Sequence, residues 1–433
     1  MFTTYEETIE WIHSLLPHGI KPGTKRVEWM LRELGNPERR LRSLHIGGTN
    51  GKGSTVNFLR HMIQEGGYSV GTFTSPYIVR FNERISIGGE GIPDQDLVEA
   101  ANRVRPLVDE LAESELGQPT EFEVITVMAM LYFAEVAVPD FVLFEVGLGG
   151  RLDSTNVIFP LLTVITNVGY DHTEILGEQI ESIAMEKAGI IKSGTPVITA
   201  AEKPEALRVI RDKAIEKKAK LYVLGENYSC DYEGSSSTGE VFSYRSLFTE
   251  RQGLLVGMKG QHQVRNASLA LMAIDYLKQY YALVLEEEEI REGLKKASWP
   301  GRFEEISTQP HIVLDGAHNP EGIRCLVETL RRYDSAKEIR IVFAAMGNKN
   351  VSEMLQPLRE LTDHLYFTSF AFERSASVEQ LSEWANFPAE KIEPDWQTAL
   401  EAAITDGDSD SLTVVTGSLY FVSEVRKAFL NNK

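Results

Sequence analysis

The chain has 433 residues, 42% of them hydrophobic and 25% charged, a globular balance in a chain too long for one ordinary core, so two or three domains are expected. Lysine and arginine number 44 against 63 aspartates and glutamates. The resulting net charge of −19 excludes a general nucleic-acid binder, because displacing counterions from phosphates needs a basic footprint. An anionic small ligand is not excluded, since a local cluster of donors or a metal ion holds one against the global field.

In chain order, the N-terminal stretch carries acids where a secretory leader needs basic residues, and Ile9, Ile12, Leu15 and Leu16 recur at helical spacing. Residues 43–46 read as a strand that runs into a glycine-rich turn, with a helix over 56–65. A mostly buried helix is expected at 121–136. Its apolar run over 124–134 ends at Glu135, short of the roughly 20 residues that span a bilayer. Strands at 141–146, 162–167 and 196–200 alternate with a helix at 180–191. The polar, glycine- and serine-rich stretch 229–244 suggests a β-hairpin, and helices follow over 263–281 and 286–296. After the break at Pro300-Gly301 the alternation restarts, with strands at 311–315, 339–345, 365–368 and 412–416 and a helix from Pro320. A boundary at this break gives domains 1–297 and 298–433, the second long enough for its own core. Cys230 and Cys325 make neither a metal-ligand spacing nor a disulfide framework, so a soluble, cytoplasmic protein is expected. Strand and helix alternating in this way imply an α/β fold with a mainly parallel sheet, and ligands bind beyond the carboxyl ends of such strands.

Motifs fall at those ends. Between strand and helix lies His45-Ile46-Gly47-Gly48-Thr49-Asn50-Gly51-Lys52-Gly53-Ser54-Thr55. Glycines let backbone N–H groups converge on an anion, and the following helix adds its positive dipole end. Lys52 would reach the β/γ-phosphates and Ser54 would face magnesium. The spacing departs from the generic G-x-x-x-x-G-K-[ST], with Ile at 46 and Gly53 inserted after the lysine. A phosphate cradle is expected over a bare glycine turn. The block Phe73-Thr74-Ser75-Pro76-Tyr77, ahead of Arg80 and Arg84, suits either metal and substrate contacts or a surface turn. Glu145 ends an apolar strand, where an unpaired charge costs several kcal/mol, so a cation should accompany it. The glycines after it complete no G-x-G-x-x-G, which rejects a dinucleotide site. His172 closes another strand and is a ligand or a structural histidine. Lys187, inside an apolar helix, must be paired, depressed in pKa or modified. Asp315 repeats the design of a strand-end acid before a helix, and with Arg302 the second domain could close over a nucleotide held by the first.

These motifs together resemble the Mur-ligase superfamily of ATP-dependent amide ligases, and more narrowly the folylpolyglutamate synthase/dihydrofolate synthase family. The resemblance rests on GTNGKGS (48–54), TSPYIVRFNERI (74–85), EVGLGGRLDSTN (145–156), NVGYDH (167–172), EKAGIIK (186–192), GQHQVRNASLA (260–270), PGRFE (300–304), DGAHNP (315–320) and VTGSLYFVSEV (415–425). It implies an N-terminal P-loop-type ATPase domain followed by a smaller, Rossmann-like C-terminal domain. It also implies that Asn50, Gly51, Lys52, Gly53 and Ser54 hold ATP phosphates and that Asn266, Arg302 and Asp315 contact the nucleotide. Ser54, Ser75 and Glu145 would serve one Mg2+ and His172 a second. Lys187 matches a lysine that is carbamylated in the superfamily, and His318 lies near the incoming glutamate. Thr120, Glu121, Phe122, Glu123, Leu152, Asp153 and Ser154 fall where the bifunctional branch holds pteroate, and Arg84 and Ser418 also match substrate positions. Met346-Gly347-Asn348-Lys349-Asn350 departs from the family's Asp-Lys-Asp. A monovalent cation (K+) is left open, and a monomer is the default by resemblance.

The implied chemistry is γ-phosphoryl transfer to a folate carboxylate, attack of the L-glutamate amine on the acyl phosphate, and release of ADP and phosphate. Dihydropteroate is a further candidate acceptor. Two other readings remain: a sister amide ligase on another carboxylate, which shares Lys52, Glu145 and Asp315, and a non-catalytic ATP-dependent binding module, which leaves Lys187 and His172 unexplained. The first needs a sugar-nucleotide domain ahead of the glycine turn, and too few residues precede it.

Overall fold

The computed structural model describes residues 1–431 apart from 17, 18, 20, 237, 334–337 and 348. Asn348, where the sequence departs from the family's usual turn, lies outside the described residues. The chain forms two compact units. One comprises Met1–Cys230, Tyr244–Arg251 and Asn266–Leu294; the other comprises Asp231–Ser243, Gln252–Arg265 and the chain from Lys295 onward.

The first unit is built on an eight-stranded sheet of β1 (Ser43–Gly47), β2 (Val70–Phe73), β3 (Ile85–Ile87), β4 (Glu90–Gly91), β5 (Phe141–Glu145), β6 (Leu162–Ile165), β7 (Val197–Thr199) and β8 (Leu221–Val223). Their order is β4-β3-β2-β5-β1-β6-β7-β8. The six strands from β2 to β8 pair in parallel, while β3 and β4 add an antiparallel edge. Every residue of β1, β2, β5 and β6 is buried, which explains their apolar runs without alternation. The antiparallel edge of β3 and β4 was not legible because its strands are short and lie among turn residues.

Two helices matter for the site. The helix after β1 starts at Lys52 rather than near 56, because Gly51, at φ 82°, turns the chain directly into it. The buried helix Glu121–Tyr132 is opened by a capping box in which Thr120 accepts from the Glu123 N–H. It passes into a π-turn at Phe133–Ala137 and stops at Val138, where φ turns positive. Apolar cores line both faces, one around Phe73, Val142 and Phe144 and the other around Val146, Ile165 and Ile183.

The expected hairpin over 229–244 is part of a three-stranded sheet of β9 (Tyr228–Ser236), β10 (Gly239–Ser246) and β11 (Glu250–Val256). The second unit carries a six-stranded sheet of β12 (Glu304–Thr308), β13 (His311–Leu314), β14 (Ile339–Phe343), β15 (Leu365–Ser369), β16 (Lys391–Asp395) and β17 (Leu412–Thr416). Their order is β12-β13-β17-β14-β15-β16, parallel except for β12. It has its own apolar cores on the two faces. The fold is therefore two α/β sheet bodies, as expected. Among the described residues no helix is long and apolar enough to cross a membrane.

Candidate active site

Parallel pairing brings the motif ends to one edge of the first sheet. Ile46 stands opposite Glu145 and Gly47 opposite Ile165, while Phe73, just before Thr74-Ser75, stands opposite Phe144. The glycine turn is pinned by the end of β6. Asn167 accepts the Asn50 N–H at 2.8 Å, and the Thr166 hydroxyl donates to the Asn50 carbonyl at 2.6 Å. The Thr49 hydroxyl lies between the carbonyl and N–H of Gly169, at 3.1 and 2.9 Å. Two glycines of the turn are sterically required. A Cβ on Gly48 would sit 1.8 Å from Thr166 Oγ1, and one on Gly51 would sit 2.3 Å from Asn266 Oδ1. The same contact places Asn266, 215 residues later, against the turn. Lys52 folds back over the turn, its Nζ 3.2 and 3.1 Å from the carbonyls of Gly48 and Thr49. Gly53 and buried Ser54 form the first helical turn.

Glu145 is buried at the end of β5, and His172 stands at a left-handed backbone position ahead of the short helix Thr173–Leu176. Buried Lys187 lies near the end of the helix Ile180–Ala188, whose last carbonyls close over Gly150 and accept the Arg151 N–H. Among the described residues no three His, Cys, Asp or Glu side chains gather as a metal cage.

A second group surrounds Phe122. Its ring lies 5.7 Å from Phe73, and a Cβ on Gly147 would meet it at 2.6 Å. Asp153 is buried and accepts from the Leu148 and Thr155 N–H groups, each at 2.9 Å. Burial pushes its carboxyl above the usual carboxylate value, against the pull of these hydrogen bonds. Leu152 is partly exposed and Ser154 is buried beside it. Arg84 is also buried, its guanidinium 5.4 Å from the rings of both Tyr77 and Phe81 and 3.9 Å from Glu121. Among the described residues its Nε and Nη1 have no hydrogen-bond partner, and buried donors in that state are costly unless a ligand satisfies them. Glu123 is different: both its oxygens are engaged by Arg26, at 2.9 and 3.0 Å, and one also by the Thr120 N–H. This carboxylate braces the helix start, as does Thr120. Thr166 and Asn167, which pin the glycine turn, carry no role in the sequence motifs although NVGYDH includes Asn167; position at a strand end was the available signal.

In the second unit the predicted residues meet at the ends of β13 and β17, where Leu314 pairs with Val415. Asp315 accepts from the Phe303 and Ala317 N–H groups at 2.9 Å, and a Cβ on Gly316 would sit 2.9 Å from Arg302 Nη1. Burial raises the Asp315 pKa and the Arg302 charge counters it. His318 Nδ1 is 2.8 Å from the Gly316 carbonyl. Ser418, ahead of the helix Leu419–Asn431, is buried with no hydrogen bond at its hydroxyl, as is Thr416.

The Mur ligase middle domain matches residues 46–274, and the glutamate ligase domain of Mur ligases matches residues 301–419. These matches, with the two sheet bodies, define a Mur-type ligase. The dihydrofolate synthase/folylpolyglutamate synthase of Bacillus subtilis is 43% identical over 427 residues, covering 99% of both chains. A Mycobacterium tuberculosis folylpolyglutamate synthase solved with ADP and AMPPCP superposes with a TM-score of 0.91 at 28% identity, over 98% of this chain and 99% of that one. An FPGS–AMPPCP–folate complex does so at 0.85 and 36% identity, over 99% and 100%. The chain belongs to the folylpolyglutamate synthase/dihydrofolate synthase family.

Proposed function

We propose that this chain is an ATP-dependent ligase that adds L-glutamate to the γ-carboxylate of a folate, with ADP and phosphate as the other products. The observation that carries the reading is the glycine turn at the carboxyl edge of the parallel sheet, where neither Gly48 nor Gly51 has room for a side chain. Backbone N–H groups and a helix start at such a place suit a polyphosphate. The nucleotide-bound relatives support the same assignment.

Residues 1–297 are read as the ATP-binding domain and 298–433 as the ligase domain. Asn50 to Ser54 and Asn266 hold the nucleotide, and Lys52 exchanges its two carbonyl contacts for phosphate oxygens. Arg302 and Asp315 serve the nucleotide, while His318 and the open Ser418 hydroxyl serve the incoming glutamate. Phe122, Leu152, Asp153, Ser154 and Arg84 line the folate site, and Thr120 and Glu123 secure its helix.

Magnesium takes oxygen ligands and keeps several waters, so one carboxylate with hydroxyls and phosphate suffices without a protein cage. Ser54, Ser75 and Glu145 are such a donor set, with His172 and Lys187 near a second position. Bound there, magnesium would neutralise charge on the transferred phosphoryl group. A carboxylate oxygen leaves poorly; as an acyl phosphate it is a competent acyl donor to the glutamate amine.

The test is ADP release by the purified chain. It is expected only with ATP, L-glutamate and a folate together, tetrahydrofolate and dihydropteroate being compared as acceptors. Turnover with a UDP-muramyl acceptor and none with folates would reject the reading.

A further inference from the structure

The strand that feeds the glycine turn carries a buried histidine that the reaction above does not use. His45 is fully buried, on the face of β1 opposite Leu44 and Ile46. Its Nε2 lies 2.8 Å from Thr155 Oγ1, and that hydroxyl donates to Asp153 Oδ1. The direction of both bonds follows from proton counting. A hydroxyl has one proton, and a carboxylate oxygen only accepts. Thr155 spends its proton on Asp153, so it must accept from His45. The imidazole is therefore neutral with its proton on Nε2. Among the described residues its Nδ1 has no hydrogen-bond partner, so donation to Thr155 is the ring's one hydrogen bond there. Burial and the nearby Lys192 charge, which lower its pKa to about 3, keep the ring uncharged.

On the far side, Asp153 stands with Phe122 around Gly147, at the folate site proposed above. The position of Gly147 is closed by the Phe122 ring at 2.6 Å and by Asp153 Oδ2 at 3.2 Å. Three connected side chains thus run from the strand that leads into the glycine turn to the carboxylate beside Phe122.

We propose that His45 is a positioning residue for the acceptor substrate: its donation to Thr155 orients the hydroxyl that holds Asp153 in place to bind folate. The inference rests on reading Asp153 as a folate contact.

The experiment is steady-state kinetics on the full chain for His45→Leu, His45→Gln, Thr155→Val and Asp153→Asn. Loss of one buried hydrogen bond should raise KM for the folate about tenfold in His45→Leu and in Thr155→Val. The pair combined should be little worse than either alone, and KM for ATP should stay within about twofold. His45→Gln, which keeps an N–H donor, should recover most of the loss. If KM for ATP rises in step with that for folate, or His45→Gln is as impaired as His45→Leu, the residue is only structural and the proposal fails. Should His45→Leu not fold, Thr155→Val carries the same test with nearly unchanged volume. Asp153→Asn separates the two levels. An unchanged folate KM there removes the folate reading of Asp153 and the proposal with it; a raised one alongside a normal His45→Leu removes the proposal alone.

Discussion

A neutral imidazole in a core is a liability in acid. Free histidine titrates near 6.5, whereas burial and Lys192 lower His45 to about 3. Because the folded value lies below the unfolded one, the unfolded chain binds more protons between the two, and stability is lost as pH falls through that window. Asp153 pulls the other way: its raised carboxyl pKa lets the folded chain take up a proton more readily. The melting temperature is expected to fall from about pH 6.5 towards 4, and less steeply in His45→Leu than in the parent. Equal slopes would trace the acid sensitivity to other groups. At this scale the sequence is informative about residue type and weak about partners. Lys52 announces itself by the glycine turn around it, and Glu145 and Asp315 by standing at strand ends. Arg84, by contrast, reads as one of several arginines in a loop, and only packing against Tyr77 and Phe81 reveals its unfilled nitrogens. Glu123 shows the converse, an acid in the right motif whose oxygens are already taken by Arg26.

Among elements, the turn from β1 into its helix is the most constrained. Gly48 has φ 144° and Thr166 Oγ1 in the place of a Cβ, so Gly48→Ala must move either the turn or β6. A destabilisation of about 2–4 kcal/mol is expected, with loss of ATP turnover. A thermal melt alongside nucleotide binding checks it, and an unchanged melt would mean that the Thr166–Asn50 bond is not what holds the turn. Elements whose residues are buried on both sides were legible as apolar runs, with ends that match or miss by up to four residues. The start of the helix at Lys52 was hidden because glycine and serine depress helix propensity, while the chain enters the helix through the backbone of Gly51.

Over the whole molecule, each unit has apolar cores of its own. Calorimetry should therefore give a total enthalpy above the van't Hoff value rather than a two-state melt. A nucleotide at a hundred times its Kd adds about 2.7 kcal/mol to the unit that binds it, so ADP with magnesium should raise one transition more than the other. A single transition with equal enthalpies would contradict this. Residue order alone determined the α/β class, the glycine turn between strand and helix and the family, because strand–helix alternation and glycine spacing are local properties of a chain. Tertiary structure alone decided which distant segments share a body, as with Asp231–Ser243 and Gln252–Arg265, and which polar groups are already satisfied. It also brought Asn266 to Gly51 and His45 to Thr155. Such pairs depend on strand order and side-chain packing, which no local pattern encodes.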